Sequence, residues 1–148
     1  MKTFLKKSII AFGVLTSLNV STMATVYAEK SPGIIEATMA QTSQSFVKKK
    51  YTIKGEWAII EKEGQTLLRL SEGFKTKNGP DLKLFLSPSK VETLTGQTAT
   101  DGSVLISALK TNKGSQDYII PQSVNLAAFQ SILIHCEAFS VLWGGGNL

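Results

Sequence analysis

"YTIKGEWAIIEKEGQTLLRL", residues 51–70, decides the fold of this chain. Tyr51 and Ile53 alternate with Thr52 and Lys54, and Trp57, Ile59 and Glu61 carry the same period onward. Neighbouring side chains on a strand point to opposite faces, so a period of two marks a strand with one face turned to a core. "KEGQ", residues 62–65, is a tight connection in which Gly64 supplies a permissive backbone. "TLLRL" then runs back with Leu68 and Leu70 on one face and Arg69 on the other. Together these features predict a β-hairpin.

The pattern continues toward the C-terminus. Asn78, Gly79, Pro80 and Asp81 form a dense turn: Gly79 accepts a positive φ, Pro80 fixes its own φ, and Asp81 bonds local amides. Leu82, Leu84 and Leu86 alternate with Lys83, Phe85 and Ser87, a strand with one leucine face that Pro88 ends. "KVETLTGQTATDG", residues 90–102, reads as a polar loop and the most dispensable stretch. "VLISAL" (104–109) and "DYIIP" (117–121) are strands, and "QSVNLAAF" (122–129) is a loop or a single helical turn. Residues 131–137 and 139–143 are the last strands, and "GGG" (144–146) reads as a terminal turn. Roughly seven or eight short strands separated by Gly-, Pro- and Asn-rich turns predict an all-β fold, an antiparallel β-sandwich or barrel. The chain shows no internal repeat, heptad or long amphipathic helix.

Toward the N-terminus the signals concern targeting. "MKTFLKK" is a basic stretch, "SIIAFGVLTSLNV" an apolar one, and "VYA" (26–28) places small or medium side chains before a cleavage point at Ala28. This is the pattern of a signal peptide, and the broken apolar run is a poor membrane span. The expected organisation is a signal peptide over 1–28, a flexible segment over 29–45 and one β domain over 46–148. The expected location is secreted, periplasmic or at the cell surface. No other apolar run reaches membrane length, so no membrane span is expected after cleavage. The formal net charge of +5 shrinks on cleavage, because Lys2, Lys6 and Lys7 leave with the signal. Thirteen basic residues then face eleven acidic ones, a net charge of about +2. Nothing in that balance calls for nucleic acid. The one basic cluster, Lys48 to Lys50, reads as a solvated face.

The chain has one cysteine and one histidine, adjacent at His135 and Cys136. One cysteine makes no intramolecular disulfide. One of each excludes a four-ligand structural zinc site and a two-His blue-copper site within the chain, and c-type haem attachment needs a second cysteine. There is no Gly-x-Ser-x-Gly elbow and no carboxylate pair with a spacing suited to acid/base work, so a hydrolase built on His135 is disfavoured and no enzyme is expected. If residues 131–137 form a strand, Ile132, Ile134 and Cys136 share the core face, while His135 points the other way. Adjacency then argues against a joint His–Cys ligand site. Apolar positions change parity afterwards, at Phe139, Val141 and Trp143, so a bulge or corner near Glu137 and Ala138 is expected. The residues alone leave Cys136 as a buried core thiol, a redox or ligating thiol, or a link to another chain.

Three stretches in fixed order carry a resemblance: "FKTKNGPDLKLFLSPS" (74–89), "LISALKTNKGSQDYIIP" (105–121) and "LAAFQSILIHCEAFSVLWGGGNL" (126–148). The chain resembles the DM-thirteen domain family over residues 46–148, with the hairpin of residues 51–70 fitting the family's opening. The resemblance implies a β-sandwich found in exported proteins, with electron transfer as the proposed role. It implies that Cys136 matches the family's cysteine, as a bare thiol or as a ligand to haem or metal. His135 stands where the family usually has Trp, and Trp143 where it usually has Phe. The expected site is Cys136 with His135, Phe139, Trp143 and Phe74 around it, and with Asn78, Gly79, Pro80 and Asp81 as a structural turn. The expected partner is a redox or surface protein, unidentified, and the expected state is a monomer. The alternative is a non-catalytic binding or interaction module in which Cys136 is plain core.

Overall fold

A computed structural model describes residues 42–148. The expected signal peptide and most of the lead-in segment lie outside the described residues. Among the described residues there are nine strands: β1 (Gln44–Ser45), β2 (Val47–Lys48), β3 (Glu56–Lys62), β4 (Gln65–Leu70), β5 (Leu82–Ser87), β6 (Val104–Ala108), β7 (Gln116–Ile119), β8 (Ser131–Cys136) and β9 (Val141–Asn147). They form two antiparallel sheets, β1-β3-β4-β7 and β2-β9-β8-β5-β6. The fold is an all-β sandwich, as the alternation predicted.

The hairpin β3–β4 closes at Lys62↔Gln65, leaving Glu63 and Gly64 as a two-residue turn. Both have positive φ, 52° and 73°, the conformation that matches the right-handed twist of the flanking strands. The strand starts at Glu56 rather than Tyr51. Gly55 has φ of 84°, and that left-handed residue breaks the extended chain before the hairpin.

The core between the sheets is apolar. Trp57, Leu68, Leu70 and Tyr118 of the four-stranded sheet meet Leu84, Leu86, Ile132, Ile134, Cys136 and Trp143 of the other. Each strand contributes alternate positions, so the period of two becomes burial.

The central strands of the five-stranded sheet, β9, β8 and β5, are buried on both faces, which the sequence did not lead us to expect. All six residues of β8 are buried. On the outer face Phe85, Leu133 and Leu142 pack with Val91, Leu94 and Ala99. Those last three belong to the stretch read as a dispensable polar loop. It is a cover instead, with a 3-10 turn at Val91–Thr93. Side chains fasten it. Asn147 Oδ1 accepts from the Val91 amide at 3.0 Å, and Ser131 Oγ donates to the Ser89 carbonyl at 2.7 Å.

The glycine run is also not a terminal turn. Residues 144–146 lie inside β9 and are buried. A Cβ on Gly146 would sit 2.1 Å from Trp57 Nε1, so the indole of the opposite sheet lies directly on the glycine backbone. The absence of side chains here is what lets the largest side chain of β3 fill the core.

Candidate functional site

Cys136 is the last residue of β8, with Leu82 of β5 and Val141 of β9 as its cross-strand partners. It is a free cysteine with 0 % exposure, inside the inter-sheet core. The chain then turns through a 3-10 segment, Glu137–Phe139, and Ser140 adopts φ of 48° before β9 begins. A register shift at Ile134/His135 accompanies the turn. The parity change in the sequence therefore corresponds to a bulge plus a corner. Val141 and Trp143 return to the inner face, Val141 packed against the core and Trp143 within it.

His135 points away from Cys136, as alternation requires. Its ring does not face solvent, although it lies on the face opposite the inter-sheet core: it is only 2 % exposed under the 91–99 cover. Its Nε2 lies 2.8 Å from the Gly96 carbonyl, and Phe85 meets the ring edge-on at 6.1 Å between centroids. Nδ1 has no hydrogen-bond partner among the described residues. His135 thus ties the cover to the sheet.

The other expected pocket residues divide. Trp143 and Phe74 are buried in the same core as Cys136. Trp143 stacks at a tilt on Tyr51 with centroids 4.2 Å apart, and Phe74 packs on Phe46 at 5.8 Å. Phe139 is 69 % exposed and lines no wall around the thiol. The 3-10 turn turns it outward, because the corner occupies Glu137–Phe139 rather than ending at Ala138.

The residues 78–81 turn sits beside the thiol end of the sheet. The Asp81 carbonyl accepts from the Glu137 amide at 3.0 Å, joining this turn to the corner after Cys136. Lys83 pairs with Glu137 and lies 3.5 Å from Asp81. The hydrogen bond to Glu137, aided by the charge of Asp81, raises the Lys83 pKa above its ordinary value. Gly79 does not take the positive φ expected of it. It is needed for space: a Cβ would meet Leu82 at 2.9 Å and the Trp143 ring at 3.1 Å.

Asn78, Gly79, Pro80, Asp81 and Leu82 frame one side of an open cleft of about 270 Å³, and residues 108–112 the other. Leu82 thus lines the cleft and is also the cross-strand partner of Cys136. The sequence signalled the turn but not the cleft, because its second wall comes from the β6–β7 connection.

A haem or metal on Cys136 does not fit this arrangement. The thiol is enclosed by the core, its face of β8 carries only isoleucines besides, and the histidine points to the opposite face. Among the described residues no group of three His, Cys, Asp or Glu side chains converges on a point where an ion could sit. Metal sites need several donors on one point, with further groups orienting them. No helix among the described residues is long and apolar enough to cross a membrane.

No curated protein and no solved structure matches this chain. The family model described as electron transfer DM13 matches residues 45–146, which takes in both sheets except Gln44 and Asn147 at their ends. With Cys136 in the core at the closing corner, the Asn78–Gly79–Pro80–Asp81 turn beside it and that match spanning the sandwich, the chain belongs to the electron transfer DM13 family.

Proposed function

We propose that this protein is an exported electron-transfer module in which Cys136 is the redox-active group. The family match carries the reading. The basic and apolar N-terminus with "VYA" before the cleavage point supports export. Cys136 is the only thiol of the chain, and its cross-strand partner Leu82 also lines the cleft at residues 78–82. Thiol reactivity requires access as well as thiolate character. The enclosed sulfur therefore reacts only when the packing around it yields, and the cleft that Leu82 lines is where a partner would approach it.

The test compares the wild type with Cys136→Ser and Leu82→Ala in direct electrochemistry and in thiol titration. The expected result is a wave that Cys136→Ser abolishes, and a thiol that Leu82→Ala makes reactive in the folded protein. An identical electrochemical response in the wild type and Cys136→Ser would overturn the role of Cys136.

A second reading has its own observation in favour. Full burial of Cys136 among Leu82, Ile134 and Val141 is the environment of a structural thiol, and free cysteine often behaves as a small hydrophobe. On that reading the domain is a non-catalytic binding module. Cys136→Ala would then keep every partner contact and lose only packing, which a pull-down from the native extracytoplasmic fraction with both proteins would reveal.

A further inference from the structure

The basic cluster Lys48 to Lys50 borders a second cleft, on the outer side of the five-stranded sheet. It holds about 330 Å³ and is lined by Lys49, Lys50, residues 95–97 and residues 140–142. We propose that this cleft binds a small amphipathic anion, an apolar body bearing one carboxylate or phosphate group.

Charge is the first argument. Neither lysine is neutralised by a carboxylate among the described residues. Lys49 Nζ donates to the main-chain carbonyl of Glu92 at 3.1 Å, and Lys50 has no side-chain partner there. The Glu92 carboxylate accepts from Asn147 Nδ2 at 3.0 and 3.1 Å and lies close enough to Lys49 to feel its charge, yet forms no ion pair with it. Two ammonium groups at one rim, Lys50 without a carboxylate partner and Lys49 without a direct ion pair, favour an anion, and an ammonium binds carboxylate or phosphate as a point charge.

The lining is the second argument. Leu142, on the outer face, is apolar, and lysine stems present methylenes beneath their charged heads. Ligand sites typically combine such apolar walls with a few placed polar groups. Here Thr95 and Ser140 add hydroxyls.

Rigidity is the third. The 95–97 side is anchored from below, since buried His135 holds the Gly96 carbonyl at 2.8 Å. Gly96 also approaches Ser140 so closely that a Cβ would fall 1.9 Å from the Ser140 carbonyl oxygen. With the cover closed, both sides of the cleft are therefore held at a fixed separation, which reduces the ordering cost of binding. The proposal goes beyond the electron-transfer reading and does not rest on it, since no lining residue is Cys136 or belongs to the 78–82 cleft.

The test uses the purified protein, amide NMR and three probes: 2-naphthoate, its neutral analogue 2-naphthamide, and inorganic phosphate. The expected result is saturable shifts of the amides of residues 95–97 and 140–142 with 2-naphthoate. Binding should weaken about tenfold for 2-naphthamide and for the double variant Lys49→Gln/Lys50→Gln, the loss expected for hydrogen bonds to a charged group. Unchanged spectral dispersion in the variant checks its fold, and Lys50→Gln alone serves if the double variant is disturbed. Equal binding of 2-naphthamide, or equal affinity of the lysine variants, overturns the anionic requirement. Phosphate binding as tightly as 2-naphthoate overturns the amphipathic class. Shifts at residues 78–82 instead, or no saturation, overturn the site.

Discussion

The two faces of β8 are buried by different means. Ile132, Ile134 and Cys136 are covered by a second sheet, whose strands are held by continuous ladders. Leu133 and His135 are covered by a loop with one 3-10 turn, held by a few side-chain bonds. The inner face shows what ordinary sandwich packing does. The outer face shows that a mostly polar segment covers a sheet when three apolar residues, Val91, Leu94 and Ala99, are placed on it. The first arrangement is cooperative with the whole fold. The second can open locally, because few backbone bonds hold it.

The largest effect should come from the inner face. Gly146→Ala drives a methyl into the Trp57 indole and should cost about 3 kcal/mol or more, since overpacking here displaces both sheets. Chemical denaturation measures it, and a cost below ~1 kcal/mol would show that Trp57 can move aside.

Next come Ile134→Ala and Leu133→Ala, neighbours of equal burial on opposite faces. Each should cost about 2–5 kcal/mol, the range for deleting buried branched side chains. The inner variant should lie higher, because the loop above Leu133 can settle into the space left behind. Equal losses would mean the cover is as rigid as a sheet.

His135→Ala comes third, at about 1–2 kcal/mol, from losing a buried contact and leaving the Gly96 carbonyl unpaired. Hydrogen exchange should quicken in residues 91–99 while β3 and β4 remain protected. Uniform quickening would remove the distinction between the faces.

The smallest effect belongs to the Arg69–Asp117 pair on the outer surface of the four-stranded sheet, joined by bonds of 2.7 and 2.6 Å. The Arg69 bond and charge hold the Asp117 carboxyl below its ordinary value. The pair's contribution is therefore fully present above about pH 4, the ordinary Asp value, and is lost as pH falls through the depressed one. Both side chains are more than a third exposed, so solvent screening limits it to about 0–1 kcal/mol. Asp117→Asn should flatten the acid limb of the stability curve by that amount and leave neutral pH nearly unchanged.

Much of the fold was legible because strands declare themselves locally. The hairpin, the leucine face of β5 and the opposed directions of His135 and Cys136 all follow from a period of two. What could not be read depends on distant partners. Residues 144–146 look like a chain end until Trp57 is placed against them. Val91 and Leu94 have a spacing of three, which carries little weight inside a polar stretch but suits a 3-10 turn. Phe139 kept the right parity for burial and lost it to a corner one residue longer than alternation assumed. The thiol's inward direction was readable. Its relation to the 78–82 cleft was not, because that cleft needs residues 108–112 from another connection.

The enclosure of Cys136 makes the protein its own stopwatch. A reagent reaches the sulfur only through an opening, so the labelling rate is the intrinsic thiol rate multiplied by the equilibrium constant for that opening, provided reclosure is fast. Comparing that constant with the global unfolding constant would show whether the sulfur is uncovered by a local breath near Leu82 or only when the two sheets part.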